Sequence, residues 1–335
     1  MDSIKAKPMF AVLLKAAEKL KENRQAGKWA PWVIGMLVIA YLVWRIEPKS
    51  LLAAFGQARM AVYLPAIIVF VFLSFLIDAQ NLQHLLKRFI ADYSYAESLI
   101  MRGATNLIMV VDYSLGLGSI VYFLNGTRGI PVIRSASIVF FYNYINQLAL
   151  VLLALIGYPI MNVPAPSWLR DLMAICLSLT IGTAAAILLL KFSRRSWIQR
   201  LGKTEMARPF RESNAAFYAE NLTFRVIYYF SYVLFFYIAV RAFRMDIPFG
   251  VLVACVPIIL LVISVPVSAF GLGTSQAAML YIFKDYGTQA EILAFSLAYS
   301  LSLLVLRTLV GIYFYSVMAG RMTASKQNGE GVDPN

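Results

Sequence analysis

Pro266-Val-Ser-Ala-Phe-Gly-Leu-Gly-Thr-Ser-Gln276 interrupts an apolar run that extends from about Ile247 to Phe283. A proline, two glycines and three small hydroxylated residues stand where a membrane helix would be continuous. In lipid, backbone polar groups must find partners, so such a break survives only inside protein or beside a wet cavity. The stretch therefore favours a broken helix, and the alternative is a short loop at the membrane surface. A similar stretch upstream, Ser114-Leu-Gly-Leu-Gly-Ser119, favours the broken helix.

The composition predicts an all-α polytopic membrane protein. Hydrophobic residues make up 60% of the chain and charged residues 14%, and several apolar stretches approach or exceed the roughly 18–20 residues that cross a bilayer. The net charge of +13 is typical of the cytoplasmic Lys and Arg excess of membrane proteins, and we expect no nucleic-acid partner. One histidine and two cysteines are too few for a His-based metal cluster or a disulfide framework, so we expect no metal and no cofactor.

Hydropathy divides the chain into two repeats between polar ends. We expect a cytoplasmic amphipathic segment at 1–28, a first membrane repeat at 29–160, a second at 161–320 that includes a basic cytoplasmic segment at 191–225, and a disordered tail at 321–335. The predicted spans are Ala30–Ile46, Val62–Ile77, Ile133–Ile160, Leu169–Leu190, Val226–Ala242 and Ala290–Met318. The weaker stretch Ser98–Leu124 and the interrupted run Ile247–Phe283 remain between these spans.

The distribution of positive charge sets the predicted topology. Seven Lys and Arg residues precede the first span, and eight lie in the segment 191–225. Both groups face the cytoplasm only if Ser98–Leu124 enters and leaves on that side, as a re-entrant hairpin. Treating Ile247–Phe283 likewise, from the outer side, returns the C-terminus to the cytoplasm. We therefore predict about six transmembrane helices and two re-entrant helices. Three crossings per half make an inverted repeat, as in many transporters, in the cell inner membrane with both termini cytoplasmic.

Two stretches resemble a known family. The first runs from Pro266 through Leu280, with Gly287 and a long helix containing Arg307 after it; the second is Arg128-Gly-Ile-Pro-Val-Ile-Arg-Ser-Ala-Ser137. Both are similar to the lysylphosphatidylglycerol synthase transmembrane family, often called flippase-like, over roughly 51–317. The chain shows no soluble aminoacyl-transferase domain, so we do not expect it to make lysyl-lipid itself.

Arg307 is the strongest candidate for a functional residue. An arginine in the middle of a span costs about 2.5–3.5 kcal/mol on insertion scales, so it must face the protein interior or a wet cavity. Helical spacing places Ser296 and Ser300 on its face, and Gly311 extends that face. The alternative to a binding role is a structural ion pair, with Asp112 or another acid as the partner.

Further candidates lie at the two breaks and on the helix between them. They are Arg102, Asn106 and Asp112 at the first break, Asn143 on the following helix, and Gly271, Gly273, Thr274, Ser275 and Gln276 at the second. The N–H groups that open a half-helix can hold a phosphate. Each set has a structural alternative: Arg102 can extend towards lipid headgroups, Asn143 can bond a neighbouring helix, and the glycines can form a packing turn.

These residues and the family resemblance predict a lipid transporter that is not an enzyme. It would bind or translocate an anionic lipid, either a phospholipid or a polyprenyl phosphate, whose headgroup lies in a cationic, hydroxyl-lined groove. One alternative is a membrane-embedded transferase acting on a lipid-linked sugar. Another is an accessory subunit of envelope lipid biosynthesis. A homodimer is compatible with all of these functions.

Overall fold

The chain is helical throughout the part that a computed structural model describes, namely residues 26–90, 92–161, 167–192, 195, 200, 202, 204–264 and 272–330. These residues form twelve helices and no strand, which confirms the predicted all-α membrane fold. The helices are α1 (Ala26–Ile46), α2 (Pro48–Gln57), α3 (Met60–Phe89), α4 (Tyr95–Val111), α5 (Tyr113–Arg128), α6 (Val132–Ile160), α7 (Ser167–Phe192), α8 (Arg208–Glu212), α9 (Ala215–Ala242), α10 (Phe249–Ser264), α11 (Thr274–Ile282) and α12 (Gln289–Glu330).

Five helices are long and apolar enough to cross a membrane: α3, α6, α7, α9 and α12. They coincide with five of the six predicted spans. The sixth predicted span, Ala30–Ile46, lies within α1 (Ala26–Ile46). Most of the predicted amphipathic segment, residues 1–25, lies outside the described residues.

Helices α3 and α9 form an antiparallel pair at the centre of the fold. At one end the Arg59 N–H, just before α3, donates to the carbonyl of Ala242, the last residue of α9, at 2.8 Å. At the other end the Arg88 guanidinium lies over the Phe217 ring. The rings of Phe70 and Phe235 stack between the two ends, with centroids 4.7 Å apart. We call the two ends of this pair the Ala242 end and the Phe217 end.

Helices α4 and α5 form the first hairpin, and its base lies at the Phe217 end. Arg128 at the end of α5 pairs with Glu97 at the start of α4, so the hairpin returns to the side from which it began. The Gln83 side chain of α3 donates to the Tyr93 carbonyl at 3.3 Å, which joins this base to the end of α3.

The break in this hairpin lies at Asp112, so its predicted position at Ser114–Ser119 is wrong. Asp112 has an extended backbone (φ −157°, ψ 134°), and its carboxylate caps α5 by accepting from the Leu115 N–H at 2.9 Å. A strong N-cap fixes where a helix restarts. Gly116 lies inside α5, where a Cβ would come within 2.0 Å of Met109 Cγ on α4. The glycine therefore serves close packing of the two halves.

Helices α10 and α11 pack together as the second hairpin, whose base lies at the Ala242 end. A Cβ on Gly287, just after α11, would lie 2.8 Å from Met245 Cγ, just after α9. The connection 265–271 falls outside the described residues. Gly273 at the tip has φ +85° and abuts Val38 of α1, so both its conformation and its surroundings require glycine.

Each hairpin packs against a long helix of the other half of the chain. Helix α4 packs along α12, and α10 packs along α6. A glycine lies at each crossing: a Cβ on Gly311 would lie 2.8 Å from the Leu107 nitrogen, and one on Gly157 would lie 2.5 Å from the Ala254 nitrogen. Small residues let membrane helices approach this closely. The inverted repeat itself stays a prediction.

Two helices extend beyond the spans predicted for them. Helix α9 begins at Ala215 rather than Val226, because Asn214 caps it by accepting from the Phe217 N–H at 2.9 Å. The basic segment predicted at 191–225 therefore includes the first part of a membrane helix. Helix α12 continues to Glu330, through most of the tail predicted to be disordered, and its buried Met322 packs against Gly126 of α5.

Replacing Gly157 with leucine is expected to destabilise the fold. The new side chain would force α6 away from α10, and such overpacking costs about 1–3 kcal/mol, occasionally more. Thermal unfolding in detergent measures the effect. The control is Gly182→Leu on α7, where a Cβ meets nothing within 4 Å. Equal melting temperatures for the two variants would contradict the close α6–α10 crossing.

Candidate functional site

A buried carboxylate, Asp78 of α3, joins four helices. One carboxylate oxygen accepts from the Arg102 Nε of α4. The other accepts from Arg225 Nη1 of α9 at 2.6 Å and from the Tyr142 hydroxyl of α6 at 2.8 Å. Charge-assisted bonds of this kind are stronger than neutral ones, so this carboxylate fixes how α4, α6 and α9 are arranged around α3.

Sequence reasoning missed Asp78 and Arg225 as site residues. Asp78 is 4% exposed and Arg225 is 1% exposed, yet both lie where the apolar runs seemed to end. A signal was available, since α3 continues with buried leucines at helical spacing beyond Asp78, at Leu82, Leu85 and Leu86. Arg102, in contrast, was predicted, and it is the partner that fixes α4 to Asp78.

The two arginines around Asp78 keep unused donors. Within the described part of the chain, Arg102 Nη1 and Arg225 Nε and Nη2 are buried and make no hydrogen bond. The Arg225 guanidinium does lie 4.3 Å from the Tyr142 ring centroid and 5.3 Å from that of Tyr228, as cation–π contacts. A buried donor without an acceptor costs about 1–3 kcal/mol, and more when it is charged. An anion near these groups would recover that free energy.

A cavity of about 130 Å³ lies beside this cluster, and Arg102, Arg225 and Arg307 all line it. Both hairpin tips reach it, the first through Asp112 and the second through Ser275. The other polar residues in its wall are Tyr113, Asn146, Gln147, Tyr228, Tyr229, Tyr232, Ser264, Tyr299 and Ser300. The cavity is therefore bounded by three cationic side chains, hydroxyls and amides between the two halves of the chain.

Arg307 lies in the wall of this cavity, on the middle of α12. Its Nη2 donates to the Tyr232 hydroxyl at 3.0 Å, and that hydroxyl lies 2.9 Å from the Tyr228 hydroxyl. The salt bridges among the described residues do not join it to Asp112, the acidic partner that sequence reasoning offered. Asp112 instead caps α5, with one carboxylate oxygen accepting from the Leu115 N–H.

Thr274 and Gln276, both predicted at the second break, belong to α11. Gln276 is buried and engaged within the protein: its amide donates to Ser300 Oγ at 3.0 Å, and its oxygen accepts from the Gly273 N–H at 2.6 Å. The first of these bonds fastens the start of α11 to α12, and the second caps α11. Thr274 is the first residue of α11, and Gly271 lies outside the described residues.

Asn143 and Asn106 lie just outside the main cavity. Asn143 accepts from the Tyr113 hydroxyl at 3.3 Å, which ties α6 to the tip of the first hairpin. Asn106 lines a neighbouring cavity of about 150 Å³, which shares Tyr228 and Arg307 with the main one. Of the predicted residues, the structure thus brings Arg102, Asp112, Ser275, Ser300 and Arg307 to one cavity.

The charge balance of the cluster is suited to an anion. Three arginines lie beside the cavity, and the two carboxylates nearby, Asp78 and Asp112, leave one positive charge in surplus (3 − 2 = 1). Electrostatic attraction is stronger in a low-dielectric interior than in water. The arrangement can therefore hold a phosphate or carboxylate group, and arginine is well suited to that task because its planar fork matches both oxyanions.

The fold and this site define a multi-pass helical membrane protein with a buried arginine cluster. The sequence profile of the lysylphosphatidylglycerol synthase transmembrane region matches residues 30–311, most of the chain, and the chain belongs to that family. This confirms the resemblance found in the sequence. No curated protein matches the chain.

Replacing Asp78 with asparagine is expected to destabilise the protein strongly. The change leaves two buried arginines without their counter-charge, and breaking a buried pair costs about 3–5 kcal/mol. Denaturant unfolding in detergent measures the loss. The control is Asp246→Asn, which removes an exposed ion pair with Arg241 worth about 0–1 kcal/mol. An Asp78→Asn variant as stable as this control would show that the cluster does not organise the fold.

Proposed function

We propose that the protein binds an anionic lipid and moves it between leaflets, with the headgroup phosphate in the arginine-lined cavity. The observation that carries the proposal is the set of buried, unused N–H donors on Arg102 and Arg225 beside a cavity that Arg307 also lines. A polar headgroup needs a shielded path across the hydrocarbon core, because exposure to lipid is costly. Membership of a family of lipid metabolism supports a lipid ligand.

The proposal includes two re-entrant hairpins in an inverted repeat. Three features support it: the hairpin bases lie at opposite ends of the α3–α9 pair, both tips reach the same cavity, and the packing of α4 on α12 mirrors that of α10 on α6. In such repeats, substrates bind where broken helices meet near the midplane. Rocking one half against the other would expose the cavity to each leaflet in turn.

The proposed orientation places the Phe217 end in the cytoplasm. Basic residues cluster there: Arg88 lies over Phe217, and Lys191 donates to the Ser213 carbonyl. The positive-inside tendency favours this assignment. Both chain termini would then be cytoplasmic, and the membrane would be the cell inner membrane. The homodimer stays a prediction.

Replacing Arg307 with glutamine is expected to slow leaflet exchange of a labelled phosphatidylglycerol about tenfold to a hundredfold, because a hydrogen bond to a charged group is worth about 1.5–3 kcal/mol. The assay reconstitutes the protein in liposomes and follows the label by quenching from one side. Arg241→Gln is the control, since Arg241 is exposed and pairs only loosely with Asp246. Equal exchange by the wild type and Arg307→Gln would remove Arg307 from the mechanism.

The same liposomes test the alternative functions. We expect wild-type protein to exchange the anionic lipid faster than phosphatidylcholine with the same chains. Absence of exchange together with sugar transfer from a nucleotide sugar to a lipid acceptor would overturn the transporter proposal in favour of a transferase. Absence of both activities, with unaltered folding, would favour an accessory subunit.

Cysteine labelling tests the orientation. We expect Lys284→Cys, beside the base of the second hairpin, to react with a membrane-impermeant reagent added to intact spheroplasts. Glu212→Cys, in α8, should react only after permeabilisation, because α8 directly precedes α9 at the Phe217 end, which the proposal places in the cytoplasm. The two native cysteines, Cys176 and Cys255, are buried and are replaced with serine in both variants. The reverse labelling pattern would contradict the proposed orientation.

A further inference from the structure

The neighbouring cavity of about 150 Å³ is a slot between α3 and α12. Its outer part is apolar, with Phe72 and Phe75 on α3 and Leu306 and Val310 on α12. Phe72 is 60% exposed and Ile68, also in the wall, is 54% exposed. Since both lie on the apolar outer face of a membrane helix, the slot opens towards the hydrocarbon core of the bilayer.

The inner end of the slot is polar and adjoins the arginine site. Arg307 and Tyr228 line both cavities. Asn106 and Ser74 lie at this end, together with Asp78. The Ser74 hydroxyl donates to the Val71 carbonyl at 3.1 Å, which leaves the Asn106 amide as the side-chain donor at this end. The slot thus runs from the lipid phase through an apolar passage to polar groups and then to the cationic wall.

We infer that this slot holds one acyl chain of a glycerophospholipid whose phosphate occupies the arginine-lined cavity, an inference that rests on the proposed function. The apolar outer part suits the chain, and the Asn106 amide at the inner end can donate to an ester oxygen between chain and phosphate. A polyprenyl phosphate has no polar linker to place there. The slot between α3 and α12 is therefore the lateral entrance of the lipid.

The wall that the two cavities share, formed by Arg307 and Tyr228, is the reason to assign the slot to the bound lipid rather than to bulk lipid. Bulk acyl chains cover any exposed apolar face, such as Leu309 on the outside of α12, which is 62% exposed. The frequency of these contacts should not depend on the headgroup, either in the slot or at Leu309. A chain held by its phosphate at Arg307 would instead occupy the slot more often when the headgroup has a net negative charge, because the choline cation of phosphatidylcholine opposes the surplus positive charge of the arginines.

Photochemical labelling separates these cases. Full-length protein is placed in nanodiscs of phosphatidylcholine that contain a small fraction of probe lipid with a diazirine in mid-chain. The headgroup of the probe is either phosphatidylglycerol or phosphatidylcholine, and labelled peptides are mapped by mass spectrometry. We expect labelling of Phe75, Leu306 and Val310 relative to Leu309 to be several-fold higher with the phosphatidylglycerol probe. Equal ratios for the two probes would overturn the inference.

The total amount of bound phosphatidylglycerol distinguishes this inference from the proposed function. If Arg307→Gln lowers that amount while the slot shows no preference in the wild type, the arginine site stands and the slot assignment falls. If the substitution changes neither quantity, both fall. A polyprenyl phosphate probe that labels the slot more strongly than phosphatidylglycerol would overturn the assignment to a glycerophospholipid.

Filling the slot gives an independent test. Val310→Trp is expected to reduce phosphatidylglycerol exchange at least several-fold and to abolish the preferential labelling of Phe75. The matched control, Leu309→Trp, places the same side chain one position away on the lipid-facing side and should exchange like the wild type. A Val310→Trp protein that melts at the wild-type temperature and exchanges at the wild-type rate would contradict the inference.

Discussion

The fold depends on how the charge of Asp78 is satisfied. A carboxylate that is 4% exposed would be too costly to bury alone, and it is stabilised by donors from Arg102, Tyr142 and Arg225. These donors come from three other helices, so the carboxylate fixes α4, α6 and α9 around α3. Two arginines pair with one aspartate, so the cluster carries a net positive charge.

Both hairpins reach the cavity beside this surplus charge. Helix α4 is half of a broken pair, so fastening it to Asp78 also places the hairpin tip at Asp112 beside the cavity. The second hairpin reaches the same cavity through Ser275, and Gln276 fastens it to α12. The cavity, its charge and the broken helices are thus consequences of one arrangement.

The sequence predicted the membrane helices more accurately than the contacts between them. Long apolar runs place the spans because hydropathy acts over many residues, and Arg307 was found because it stands alone in such a run. Asp78 and Arg225 were missed because each lies where hydropathy falls, and their pairing joins positions 147 residues apart. The first break was placed a few residues late, because glycines suggested a break that the cap at Asp112 actually sets.

The most direct test of this account is an experimental structure in nanodiscs rich in phosphatidylglycerol. The account predicts density for a phosphate in the cavity, within hydrogen-bonding distance of at least one of Arg102, Arg225 and Arg307. This density should be much weaker in nanodiscs made only of phosphatidylcholine, whose choline cation opposes the surplus positive charge. A cavity that holds only water in both preparations, with phosphatidylglycerol bound solely at the outer surface, would contradict it.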